Sequence, residues 1–180
     1  DLHTKLEQVD EALAAYRDVA YFYLRDEIYD KSVAIFKQAI RLNREDPELH
    51  RDLGEAYHRL GRLKEALGQY NQAQRIYARG GDKASQRDIL ERMVRLDPED
   101  VSLRIQLAEH YIKANMREDA LELFKYAARQ LEEDGRLDDW RKVFERIVFL
   151  RPRDMDLRMR LVRSCIDARD LRGALKHLKV

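Results

Sequence analysis

The sequence predicts an all-α protein, built as a solenoid of antiparallel helices, from an internal repeat and from a scarcity of helix breakers. A 54-residue repeat places Gly135 and Pro152 in the register of Gly81 and Pro98. Only seven Gly and three Pro interrupt the 180 residues, so nearly all of the chain can be helical. A fixed period of this length is typical of stacked units that pack on their sequence neighbours.

Ten helices can be placed along the chain from apolar spacing, caps and breakers. The first runs from Leu2 to about Arg25, and a capping box at Thr4 and Glu7 favours its start. The others cover residues 30–42, 47–60, 63–79, 82–96, 98–114, 117–134, 136–150 and 154–168, with a last helix from Asp170 onward. Pro47 stands in a first helical turn, where proline is accepted. The joins are short, which makes neighbouring helices antiparallel.

Composition limits the classes of partner and compartment. The 35 basic and 34 acidic residues are interleaved and leave a net charge of +1, which gives no field that would attract nucleic acid or an anionic membrane. A single cysteine excludes an internal disulfide and favours the cytoplasm. Arg or Glu breaks every apolar run below the length of a membrane span.

The helix pair at residues 47–79 places small and large residues in a fixed order, namely Leu53, Gly54, Glu55, Ala56, Tyr57, Gly61, Ala66, Tyr70 and Ala73. The same order occurs earlier, with a 34-residue spacing, in Val19, Ala20, Tyr23, Ser32, Phe36 and Ala39. Later copies are Leu107, Ala108, Tyr111, Ala120, Phe124 and Ala127, and more loosely Leu161, Val162, Cys165, Ala174 and Leu178. This pattern resembles the tetratricopeptide repeat over nearly the whole chain. The resemblance implies a right-handed α-solenoid of antiparallel helix pairs.

An extra helix distinguishes the later repeats from the simple family pattern. The helices at 82–96 and 136–150 extend the 34-residue unit to a 54-residue unit of three helices. Where the family has a small residue, these inserted helices carry Gln86 and Trp140. We expect one superhelical domain over residues 1–180. We also expect a fragment of a longer protein, because the last helix stops before the loop that closes earlier units.

No set of residues in the sequence has the spacing of a catalytic or metal site. The five histidines are scattered, and none belongs to a chelating pair. Cys165 takes the register of Tyr57 and Tyr111, which predicts a buried core position rather than a nucleophile. The pair Gly80-Gly81 ends a helix and is not a phosphate-binding loop. We therefore expect no enzyme activity, no metal and no cofactor.

The resemblance also implies a concave groove, lined by the first helix of each pair, in which a partner protein binds. In the first half the residues on this face are Arg17, Tyr21, Leu24, Arg25, Arg51, Glu55, His58 and Arg59. In the second half they are Ile105, Glu109, Ile112, Lys113, Met159, Arg163 and Ile166. Arginines beside a tyrosine suit acidic partner residues, whereas the apolar second half suits an amphipathic helix.

Each half of this groove has a structural alternative. The arginines can form a solvated or ion-paired face that needs no partner. The apolar residues Ile105, Ile112, Met159 and Ile166 can instead be buried by the inserted helices.

We expect a non-enzymatic scaffold or adaptor that binds another protein through this groove. One alternative is a structural module that self-assembles through its terminal helices, which would make it a homo-oligomer. A second is an RNA-binding helical-repeat protein, although the balanced charge argues against nucleic acid. A third is a regulatory part of a larger enzyme. The sequence does not identify the partner.

Overall fold

The computed structural model describes the backbone of residues 2–178 and the side chains of residues 8–178. Within residues 2–178 the chain forms ten α-helices and no strand, which confirms the all-α prediction. The helices are α1 (Leu2–Arg25), α2 (Tyr29–Leu42), α3 (Pro47–Arg59), α4 (Leu63–Arg79), α5 (Lys83–Leu96), α6 (Val101–Lys113), α7 (Arg117–Glu133), α8 (Leu137–Leu150), α9 (Met155–Asp167) and α10 (Leu171–Leu178). The capping box at Thr4 and Glu7 lies outside the residues whose side chains are described.

Aspartates in one register of the repeat start the first helix of each three-helix unit. Asp46, Asp100 and Asp154 precede α3, α6 and α9, and each side chain accepts hydrogen bonds from backbone N–H groups of the first turn. The prediction that the sixth helix begins at Pro98 is wrong for this reason. Asp100 accepts from the N–H of Ser102 at 2.8 Å, so the helix begins one residue after Asp100.

Two compact units make up the chain, Asp1–Asp97 and Pro98–Val180. In the first unit, each helix packs on its sequence neighbours around buried residues such as Phe36, Leu49 and Tyr70. In the second unit, Phe124 of α7 and Ile147 of α8 belong to one core cluster. The prediction of a single domain over residues 1–180 stays a prediction.

Gly54 lets α3 and α4 approach closely in the first unit. A Cβ atom built on Gly54 would lie 2.8 Å from Cε1 of the buried Tyr70 ring. The small residue and the large aromatic of the sequence pattern therefore face each other across the helix pair.

Residues in the left-handed region end the first helix of each repeat. Gly61, Asn115 and Arg169 share one register and have φ angles of 70°, 61° and 60°. Glycine adopts this conformation at no steric cost, whereas arginine is strained there. Asparagine also adopts it more readily than most residues, so residue type marks the helix ends at Gly61 and Asn115 but not the one at Arg169.

Candidate functional site

Arg17, predicted to meet an acidic partner, is ion-paired within the chain. Its guanidinium contacts the carboxylate of Asp46 and lies 3.7 Å from that of Glu48. Asp46 is also the N-cap of α3, where it accepts from the N–H of Glu48 and Leu49. Arg17 thus joins α1 to the start of α3.

Tyr21 and Arg51 meet at one buried carboxylate. The Tyr21 hydroxyl donates to Oδ2 of Asp52, and Nε of Arg51 donates to Oδ1 of Asp52 at 2.8 Å. The Tyr21 ring packs edge-on against Phe36, with the centroids 5.7 Å apart. Burial and the hydrogen bond to Asp52 raise the pKa of Tyr21 to about 12. Tyr21 therefore joins α1 to α3, whereas Arg51 pairs with the same carboxylate within α3.

Glu55 is the centre of a second polar cluster in the first unit. It accepts from Nε of Arg59 at 2.8 Å and from the Tyr70 hydroxyl at 3.2 Å, and Nη1 of Arg92 on α5 lies 3.8 Å away. Burial alone would raise the pKa of Glu55, but the hydrogen bonds from Arg59 and Tyr70 hold it below its usual value.

The first-half surface is therefore mostly ion-paired within the chain. Arg17, Arg51 and Arg59 each contact a carboxylate of their own unit. Arg25 is exposed and makes no ion pair with any residue that the structure describes. These contacts support the alternative of an ion-paired face, because a partner carboxylate would have to displace one that is already in place.

The α6 residues of the second half face two different surroundings. Ile105 and Ile112 are partly buried and pack against the core cluster to which α8 contributes. Glu109 accepts two hydrogen bonds from Arg146 of α8, at 2.7 and 2.6 Å. Lys113 is exposed. For Ile105 and Ile112, the structure supports the alternative of burial in the core.

The α9 residues are exposed, contrary to that alternative. Met159 is 38% exposed and Ile166 is 50% exposed. Met155, which is 54% exposed, precedes Met159 by one helical turn and lies on the same face. We call Met155, Met159 and Ile166 the α9 stripe. Arg163, beside it, is exposed and makes no ion pair within the described part of the chain.

An open groove of about 710 Å³ lies between α8 and α9. Leu137, Trp140, Met159 and Arg163 are among the residues that line it. The Trp140 ring is buried and stacked on Phe144, with the centroids 4.3 Å apart. The sequence-based set includes Met159 and Arg163 but misses Leu137, Trp140 and Met155. The helical spacing of Met155 with Met159 and Ile166 is the signal that could have identified Met155.

The predicted α6 and α9 residues do not share one surface. Ile105 and Glu109 line a separate cavity with Val143 and Arg146 of α8. The groove beside α9 is bordered instead by Leu137, Trp140 and Arg141 of α8. Two different faces of α8 therefore border the two places where a partner segment could lie.

Within residues 8–178, no group of three or more His, Cys, Asp or Glu side chains could hold a metal ion. Cys165 is buried, as its register predicts, and burial raises the pKa of its thiol. No helix in the part of the chain searched is long and apolar enough to cross a membrane.

Comparisons with known proteins identify the repeat. Residues 19–80 match the family model described as tetratricopeptide repeat. No curated protein matches the chain significantly in sequence.

Three solved structures illustrate the likeness in fold. YrrB, "a TPR protein with an unusual peptide-binding site", is 17% identical, with 100% of this chain and 99% of YrrB covered and a TM-score of 0.45. BtubC from P. vanneervenii is 14% identical, with coverage of 98% and 88% and a TM-score of 0.46. TTC0263 from Thermus thermophilus is 19% identical, with coverage of 86% and 99% and a TM-score of 0.33. At these identities and TM-scores, none of the three indicates what this chain binds.

The matched segment contains the two helix pairs that are related by the shorter, 34-residue spacing. It runs from the second half of α1 through α4, and it includes Gly54 and Tyr70, whose close approach sets the spacing of α3 and α4. Residues 19–80 of this chain therefore match the tetratricopeptide repeat family.

Proposed function

We propose that this chain is a non-enzymatic scaffold or adaptor that binds a partner protein through the exposed surface of α9. Tetratricopeptide repeats generally act as protein interaction modules. The observation that carries the proposal is the α9 stripe, which exposes two methionines and an isoleucine beside the α8–α9 groove. The single, buried cysteine suits a reducing compartment such as the cytoplasm.

The α9 stripe has the chemistry of an interface centre. Full burial of an exposed methionine or isoleucine side chain contributes about 1.5–3 kcal/mol. Because these three residues are already about half buried, covering the rest of them can add roughly 2–4 kcal/mol to a complex. Methionine adapts its shape to different partners because its side chain is unbranched and flexible. Arg163 adds a charge at the edge of the stripe that a partner carboxylate can pair with.

The arginine surface of the first unit contributes less in this proposal. Arg17, Arg51 and Arg59 already pair with carboxylates of their own unit. Arg25 makes no ion pair with any described residue, so its charge is available to a partner. A partner carboxylate near Arg25 would gain a solvent-exposed ion pair, which contributes about 0–1 kcal/mol.

Charge placed in the α9 stripe is expected to weaken partner binding. The double variant Met159→Glu and Ile166→Glu should bind a partner captured with the intact protein at least about tenfold more weakly, because two carboxylates would have to be desolvated. The affinity is measured by surface plasmon resonance with the purified partner.

The matched control for this prediction lies in the first unit. Val19 and Leu63 are 43% and 47% exposed, so Val19→Glu and Leu63→Glu introduce the same charges at similar exposure. Circular dichroism should show unchanged helicity in both double variants. Equal binding by the α9 variant and the parent would exclude the α9 surface as the site.

Self-assembly is a second candidate function, which the exposed apolar residues of α10 favour. Leu171, Leu175 and Leu178 are all exposed on this helix. In a self-assembling module, the mass measured by light scattering should rise with concentration, and Leu175→Glu should suppress the rise. A mass that stays that of the monomer across the series would rule this candidate out.

A further inference from the structure

An ion pair recurs at the junction of each inserted helix with the first helix of its repeat. Arg92 of α5 lies 3.8 Å from Glu55 of α3, and Arg146 of α8 donates to Glu109 of α6 at 2.7 and 2.6 Å. The two arginines stand in the same register of the 54-residue repeat, and so do the two glutamates. The third helix of each unit therefore places an arginine against the same position of the first helix.

The apolar residues beside this ion pair also recur, but their surroundings differ. Val101, Ile105 and Ile112 of α6 stand in the register of Met155, Met159 and Ile166 of α9. On α6 these residues pack against the core cluster that includes Val143, Phe144 and Ile147 of α8. On α9 the equivalent residues form the exposed α9 stripe. α9 therefore repeats the apolar surface of α6, but no helix within the described residues covers it there.

The charge at the centre of this surface is reversed on α9. Arg163 stands in the register of Glu55 and Glu109. A helix that placed an arginine there, as α8 does on α6, would bring two guanidinium groups together. A helix with a carboxylate at that position would instead restore an Arg–carboxylate pair of the kind seen between Arg146 and Glu109.

We propose that the α9 surface binds an amphipathic helix of a partner protein that resembles α8 in its apolar face but carries an acidic residue in the place of Arg146. This proposal rests on the proposed function and specifies the partner for the same site. The α9 stripe supplies the apolar contact, and Arg163 selects the charge. Opposite charges across the interface favour the correct partner and disfavour a helix with the α8 sequence.

Two synthetic helices test the proposal directly. One has the 14-residue sequence of α8, Leu137–Leu150, and the other carries Arg146→Glu in that sequence. Lactam bridges on the polar face hold both peptides helical, because free peptides of this length are marginal helices in water. Fluorescence anisotropy of labelled peptides gives the two affinities. The Arg146→Glu peptide should bind about tenfold more tightly than the α8 peptide.

A charge reversal in the protein completes the experiment. In the Arg163→Glu variant the preference should invert, so that the α8 peptide binds more tightly than its Arg146→Glu form. Arg75→Glu changes the same charge on the exposed face of α4 in the first unit, and this control should leave both affinities within about twofold of the parent.

Three results would overturn the proposal: no binding of either peptide, equal affinities, or a preference that Arg163→Glu does not invert. The proposed function has a separate test, since a natural partner whose binding depends on Met159 and Ile166 would still support it. If binding depended neither on the charge at Arg163 nor on Met159 and Ile166, the α9 surface would be excluded as a binding site.

Discussion

Replacing Gly54 by alanine is expected to lower the free energy of unfolding by about 2 kcal/mol, although alanine is the better helix former. The added Cβ atom would lie 2.8 Å from Cε1 and 2.9 Å from Cδ1 of Tyr70. The ring cannot move aside cheaply, because it is buried and its hydroxyl donates to Glu55. Urea denaturation followed by circular dichroism measures the change.

Gly68 provides the matched control for this substitution. It lies within α4, is exposed, and a Cβ atom built there has no neighbour within 4 Å. Gly68→Ala should therefore raise the free energy of unfolding by about 0.5–1 kcal/mol through helix propensity alone. If both variants change the free energy of unfolding in the same direction, close packing of α3 on α4 is not the reason that alanine is disfavoured at position 54.

Alkaline pH is expected to destabilise the first unit through Tyr70. Burial and the neighbouring Glu55 carboxylate raise the pKa of Tyr70 from 10.0 to about 12. Its contribution to stability is full below the unfolded pKa of 10.0 and is lost as the pH rises through about 12, because the unfolded chain ionises first. The loss should reach about 2–3 kcal/mol. Tyr21, whose pKa is also raised to about 12, should add a smaller loss because it is partly exposed.

The variant Tyr70→Phe separates this effect from the general effects of alkali. Phenylalanine keeps the ring beside Gly54 but loses the hydrogen bond to Glu55, so stability at neutral pH should fall by about 1 kcal/mol. Urea denaturation at a series of pH values should show a shallower decline above pH 10 in the variant than in the parent. If stability declined in parallel in the variant and the parent, the pKa of Tyr70 would not be raised in the folded state.

The helices and their pairing could be predicted from the sequence, because local signals determine both. The 54-residue register, the apolar spacing and the glycines that end helices can all be read from the sequence. The predicted start of α6 is too early because it overlooks the cap at Asp100. The small residue at Gly54 and the aromatic at Tyr70 also show which faces meet. Turns at Glu27 and Arg169 have positive φ without glycine or asparagine, so residue type gives no sign of them.

The candidate site was less predictable, since it depends on which side chains meet across helices. A helical face shows that Arg17 and Arg51 lie on one side of their helices, but not that Asp46 and Asp52 have already paired with them. The burial of an apolar residue also depends on contacts that its register does not show. Ile105 and Met159 occupy one register, yet only Ile105 packs against the core cluster, because α8 follows α6 and α7 in the unit.

Trp140 makes the second unit optically distinct from the first. It is the chain's one tryptophan, it is buried against Phe144, and Arg160 lies 5.5 Å from the centroid of its ring. Its emission therefore reports on the second unit, including the α8–α9 groove, while circular dichroism reports on every helix. Unfolding curves that coincide by the two signals would mean that the units melt as one cooperative block, and curves that separate would mean that each melts independently. The same emission offers a label-free signal for a helix that docks on α9.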